Sequence, residues 1–156
     1  MTNKLHELVD KHTHAKYATD TGRGVHTKMQ HVFYTPNGWV GDTNIISHIK
    51  DNSELRELLG PLSKTEVPIA GIINGKFISR RIDRLYVNNT TKNIVVLDYK
   101  TDINKKVFFE KYVVQLNEYY ALLKQIYRSF NIDCKILWLN DFTLENVQTS
   151  GIIRPC

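Results

Sequence analysis

The sequence predicts a single α/β domain in which helices come first, three strands follow in succession, and a long helix then leads to a further strand. Three observations carry this reading. The chain has 156 residues, 42% of them apolar and 24% charged, enough for one ordinary hydrophobic core. The apolar period is helical over the first part and becomes strand-like from Lys64. A continuous apolar run, Ile94-Val95-Val96-Leu97, is followed by a long amphipathic pattern. The whole chain, 1–156, reads as one domain, with a helical extension over about 1–60 and an αβββαβ core over about 62–148.

Taken in order, Leu5 and Leu8 form a thin apolar stripe in a first helix, and Thr13 to Asp20 is a polar loop. A second helix starts near Thr21 and carries Val25, Met29 and Val32/Phe33, reaching about Tyr34. Pro36-Asn37-Gly38 is a turn. Asp42 caps a helix through His48, and Asp51 or Ser53 caps another through Leu59, stopped by Gly60-Pro61. Val67, Ile69 and Ile72 belong to a strand that ends at Asn74-Gly75, a strong hairpin signal. The next strand runs from Phe77 to Val87, and Ile94 to Leu97 is a buried strand. A helix over 108–130 presents Tyr112, Leu116, Tyr120, Leu123 and Tyr127 to the core. Cys134 to Leu139 is a further strand and Phe142 to Val147 an edge strand.

Composition narrows the function classes. The net charge of +5 is compatible with a polyanionic partner but is weak evidence alone. The two cysteines, Cys134 and Cys156, form no CxxC or Cys/His cluster, so neither a zinc site nor an iron–sulfur cluster is expected. This usage fits a reducing, cytoplasmic setting. Met1 to Lys16 is polar and no run reaches the roughly 20 apolar residues of a membrane span, so no membrane partner is expected. The chain has no GxxxxGK[ST] loop and hence no expected ATP site.

One constellation carries chemistry. Side chains alternate along Ile94–Lys100, so Asp98 and Lys100 project from one face at the C-terminal end of their strand. Taken alone, the pair reads first as the charged end of a strand leaving the core. The preceding strand supplies Asp83, which can lie opposite or diagonal to Asp98 if the two strands are antiparallel neighbours. Bringing two carboxylates together is costly without a cation, and hard oxygen ligands favour Mg²⁺ or Mn²⁺. The plain alternative for Asp83 is an ion pair with Arg81 or Arg84.

The ordered set Ile82-Asp83-Arg84-Leu85, Asp98-Tyr99-Lys100-Thr101-Asp102 and Gln115-Leu116-Asn117-Glu118-Tyr119 resembles the PD-(D/E)XK nucleases. The closer similarity is to the RecB/AddA branch, the nuclease domain of bacterial helicase–nuclease subunits, which carries Ile-Asp-Arg-Leu, Asp-Tyr-Lys-Thr and Gln-x-x-x-Tyr in that order. Gly22 through His26 matches its upstream Gly-x-x-x-His, Glu66-Val67-Pro68 its early acid, and Tyr127 with Ile136-Leu137-Trp138 its ending. The resemblance spans about Gly22 to Asn140 and implies a restriction-endonuclease-like fold. Arg80 stands where that branch usually has glycine, and the helicase that normally accompanies the domain has no counterpart here.

The resemblance implies a metal-dependent DNA nuclease, of exonuclease type, in repair or recombination. Asp83, Asp98 and Lys100 would be catalytic. His26, Asp83, Asp98 and the backbone carbonyl of Tyr99 would hold Mg²⁺ or Mn²⁺. Gln115, Tyr119, Glu66 and Arg84 would line the site or contact DNA, with Arg80, Arg81, Lys105, Lys106 and Lys111 as further basic contacts. DNA is the expected partner, and a separate helicase subunit is a candidate one. The alternative is a module that keeps the nuclease fold for DNA or helicase docking with little catalysis.

Overall fold

A computed structural model describes residues 24–149. The expected helix at Leu5 and Leu8, the Thr13–Asp20 loop, the start of the second helix near Thr21, Gly22 of the Gly-x-x-x-His match and Cys156 lie outside those residues. Helix α1, over residues 24–30, comes first. The hairpin β1 (Phe33–Thr35) and β2 (Gly38–Val40), then α2 (Thr43–Ile49) and α3 (Ser53–Leu58), complete the N-terminal part. Strands β3 (Ser63–Ile73), β4 (Lys76–Asn88) and β5 (Asn93–Lys100) follow, then α4 (Lys105–Ile126), β6 (Asn131–Trp138) and β7 (Thr143–Val147).

The architecture is mixed α/β. Five strands form one sheet in the order β3-β4-β5-β6-β7, antiparallel except where β5 runs parallel to β6. A parallel pair needs a long crossover, and α4 supplies it. Packing follows the alternation of β5. Ile94 and Val96 join Leu116, Leu122 and Leu123 of α4 in one buried cluster. Leu97 and Tyr99 point the other way, to Met29, Ile45, Ile49, Leu55 and Leu59 of the N-terminal elements. The sheet is thus covered on both faces, which is why the β5 sequence is apolar without a break. Among the described residues no helix is long and apolar enough to cross a membrane.

The second helix does not continue to Tyr34 as its spacing suggested. Val32 N–H closes onto Met29 O at 3.1 Å, ending α1, and Phe33 already pairs with Val40 in β1. Met29 and Val32 keep helical spacing because both reach the core from a helix and its exit turn. Pro36 and Asn37 turn the hairpin, and Gly38 takes φ +106. Asp42 caps α2 by accepting Ile45 N–H at 2.9 Å. The α3 cap is Asn52, accepting Leu55 N–H at 3.1 Å, where Asp51 or Ser53 was expected.

Helix α4 also shifts. It starts at Lys105, because Lys105-Lys106 forms a polar first turn that carries no apolar signal, and it stops at Ile126. The apolar period runs on to Phe130 because Tyr127 and Phe130 pack edge to face in the exit turn, 5.1 Å between ring centres. Its buried stripe is Leu116, Tyr119, Leu122 and Leu123, so Tyr119 takes the core position expected for Tyr120, which is only half-buried. Cys134 is buried, and burial pushes its thiol up to about 12.

Candidate active site

The site begins where the sheet forks. Pairing of β4 with β5 ends at Arg84↔Leu97, while β5 runs on to Lys100 beside β6. On the other side of β4, the pairing passes from Thr65↔Arg84 to Val67↔Ile82, and Glu66 between them takes φ +52. That left-handed residue marks a local distortion of the hairpin. Beyond it the alternation of β4 changes phase: Ile82 and Leu85, three apart instead of two, both belong to the α4-side core. Asp83 lies at this break.

Released from regular pairing, the Asp83 carboxylate bridges the fork. Its Oδ2 accepts the Tyr99 backbone N–H at 2.8 Å, and its Oδ1 lies 4.0 Å from His26 Nδ1. Asp98 is 2% exposed on the α4 face, with Oδ2 2.9 Å from Lys100 Nζ. This ion-pair contact falls outside hydrogen-bond geometry, so Asp98 Oδ2 is a buried oxygen that accepts no hydrogen bond. Burial, and then the neighbouring charge of Asp98, push the Asp83 carboxyl up to about 8, against the lowering effect of the Tyr99 N–H.

Helix α4 meets this group from above. Lys100 Nζ donates to Gln115 Oε1 at 2.9 Å, Gln115 Nε2 donates to the Tyr119 hydroxyl at 2.8 Å, and that hydroxyl donates to Arg81 O at 3.2 Å. Gln115 and Tyr119 are one helical turn apart, so a single face of α4 tethers the lysine to β4. Tyr119 is both a core aromatic, 2% exposed, and a cleft residue through its hydroxyl. The chain opens here into a cleft of about 810 Å³ with His26, Glu66, Arg81, Asp83, Asp98 and Lys100 among its walls.

Most of the expected site residues therefore converge, and Arg84 is the correction. It is 0% exposed and faces the N-terminal helices, not the cleft. Its guanidinium donates to the Tyr99 hydroxyl at 3.0 Å, Ser63 Oγ at 3.5 Å, Met29 O at 3.1 Å and Val32 O at 2.7 Å, over the Phe33 ring. Its part is to fix Tyr99 and the end of α1, and it does not line the cleft. Arg80 pairs with Glu118 at 2.9 Å, and Lys105 with Asp141 at 2.8 Å. Lys106 and Lys111 are exposed. Arg81 lines the cleft, 3.7 Å from Glu66.

Sequence reasoning assigned Tyr112 to the core and not to the site, and gave Asp102 no role. Tyr112 lies three residues before Gln115 on the cleft side of α4, its ring centre 4.3 Å from Lys100 Nζ and its hydroxyl donating to Asp102. Burial and that hydrogen bond push the hydroxyl above the usual tyrosine range, so it stays protonated. The signal was its spacing to Gln115; it was hidden because Tyr112 also fits the apolar stripe.

No protein-family model matches the chain, and no curated protein matches it in sequence.

The donor chemistry suits a hard cation. Two carboxylates share the fork, one of them with a buried oxygen that accepts no hydrogen bond, and an imidazole and a backbone carbonyl adjoin them. His26 Nε2 and Tyr99 O lie within hydrogen-bond distance of each other at 3.1 Å. Among the described residues no group of three or more His, Cys, Asp or Glu side chains is placed to hold a metal ion by itself. Mg²⁺ and Mn²⁺ need none, since they are commonly held by one or two carboxylates with water completing the shell.

Proposed function

We propose that the protein is a divalent-metal-dependent DNA nuclease of the PD-(D/E)XK type, with a restriction-endonuclease-like core similar to the RecB/AddA branch. The observation that carries the reading is the meeting of Asp83 and Asp98 at the fork between β4 and β5, with the Lys100 ammonium 2.9 Å from Asp98 and held by Gln115. A buried and a half-buried acid at close quarters are unfavourable by themselves and become favourable once a cation neutralises them.

Asp83 and Asp98, with His26 and the Tyr99 carbonyl, would hold Mg²⁺ or Mn²⁺, which when bound activates a water for attack and polarises a phosphoryl oxygen. Lys100 presents a compact positive charge where negative charge develops on the phosphate during attack. Gln115 fixes that ammonium, and Tyr119 fixes Gln115. Arg81, Lys106 and Lys111 supply positive charge for the DNA backbone.

The test is cleavage of end-labelled linear and circular DNA, single- and double-stranded, with Mg²⁺ or Mn²⁺ and with EDTA. Cleavage that needs metal and is lost in folded Asp98→Ala and Lys100→Ala variants is the expected result. Cleavage undiminished in both variants, or equal rates in EDTA, would overturn the reading. Metal and DNA binding without cleavage would favour the docking alternative, and co-purification with a helicase would identify the partner.

A further inference from the structure

Lysine carries its charge on a flexible four-carbon stem, and two polar contacts alone do not fix where such a charge points. Lys100 has a third. Asp98 Oδ2 and Gln115 Oε1 each lie 2.9 Å from Nζ, and the Tyr112 ring stands with its centre 4.3 Å away. An ammonium is drawn to an aromatic face, more strongly where water is kept out, and the Lys100 side chain is only 16% exposed.

The ring is itself held from two directions. Its hydroxyl donates to Asp102, on the loop leaving β5. It packs at a tilt against Trp138 at the end of β6, 6.1 Å centre to centre. Trp138 is in turn held by its indole N–H, which donates to Glu145 of β7 at 2.7 Å. The face offered to Lys100 is therefore set by the loop leaving β5 and by the end of β6. A tyrosine needed only for core volume would require neither the bond to Asp102 nor a lysine over its ring.

We propose that Tyr112 is a positioning residue for Lys100: its ring forms the third wall of the ammonium site, and its bond to Asp102 locks the ring in place. The contact stands on geometry alone. Its consequence for cleavage rests on the nuclease reading, with Tyr112 acting through Lys100 and not on the substrate.

The experiment uses the full chain with lysine isotope-labelled at Cε, the Lys100 signal being assigned by its loss in Lys100→Met. In the wild type the Lys100 Cε protons are expected to be shifted upfield by the ring current. The shift should shrink but persist in Tyr112→Phe, which keeps the ring and loses the bond to Asp102, and vanish in Tyr112→Leu. With Mn²⁺ and DNA, Tyr112→Leu should lose roughly tenfold in kcat with KM little changed, the size of a partly desolvated cation–π contact, and Tyr112→Phe should restore most of it.

An unshifted Lys100 signal in the wild type overturns the proposal even if no variant folds. So does a shift that survives in Tyr112→Leu, or a Tyr112→Leu enzyme as fast as Tyr112→Phe. If the wild type cuts no DNA, the nuclease reading fails by itself, while the shift still decides whether Tyr112 holds Lys100.

Discussion

Asp83 Oδ2 accepts the backbone N–H of Tyr99 at 2.8 Å, beyond the last regular pair of β4 with β5 at Arg84↔Leu97. A carboxylate thus spans the gap between two strands, at the price of sitting half-buried beside Asp98. The consequence is a pH dependence. The carboxyl rises from 3.8 to about 8 through burial first and Asp98 second. The folded chain therefore keeps a proton that the unfolded chain has released across that window. Stability without metal must fall as pH rises from about 4 to about 8 and then level off. In EDTA, the urea midpoint should be higher near pH 5 than near pH 8.5, and Asp83→Asn should flatten the difference. Excess Mn²⁺ should reverse the trend, because metal competes with the proton. A slope equally steep in Asp83→Asn would place the titration elsewhere.

Lys100 and Asp98 touch, yet their substitutions should separate. On the proposed nuclease reading, Lys100→Met removes charge stabilisation during attack and should lower kcat by about 10²–10³. It also removes a cation from Asp98, so calorimetry should show Mn²⁺ binding retained or tightened. Asp98→Ala should lose both cleavage and Mn²⁺ binding. Equal loss of metal binding in the two variants would mean that Lys100 builds the ligand set and has no separate role in the reaction.

Much of the site was legible because its signals are local. The Asp98/Lys100 pair follows from alternation along one strand, and Gln115/Tyr119 from one helical turn. The hairpin at Asn74-Gly75 and the cap at Asp42 announce themselves in short sequences for the same reason. What stayed hidden depends on tertiary contact. Arg84 sits in a motif beside Asp83 and reads as a basic contact, but the phase change at Asp83 turns it to the opposite side of the sheet from the cleft. Phe33 continues a helical period yet is claimed by a hairpin whose pairing depends on Val40. Tyr112 looks like core because an amphipathic stripe does not tell which of its members reaches a cleft.

Glu66 marks the distortion opposite Asp83 with φ +52, a conformation that L residues adopt at some cost. Its contact with Arg81, 3.7 Å long and largely exposed, contributes little. Glu66→Gly should therefore stabilise the fold by about 0.5–1 kcal/mol, as relief of left-handed strain outweighs the added freedom of the unfolded chain. Thermal unfolding in EDTA is the measurement. Destabilisation would show that the Glu66 side chain holds the hairpin and that the strain is small.

Arg84 and Arg81 lie three residues apart and should behave oppositely. Arg84→Met leaves the carbonyls of Met29 and Val32 and the Tyr99 hydroxyl without their buried donor. The expected loss is on the order of 4 kcal/mol, since each buried group left unmet costs about 1–3 kcal/mol. Arg84→Lys should recover only part of it, because an ammonium cannot reproduce the planar fork. DNA affinity of the fraction that folds should be unchanged. Arg81→Ala, on the cleft wall, should leave stability within about 0.5 kcal/mol of wild type. It should weaken DNA binding and lower the salt dependence by about one phosphate contact. Denaturant titration and DNA binding at several salt concentrations read both variants, and a stable Arg84→Met protein with weakened DNA binding would return Arg84 to the DNA surface.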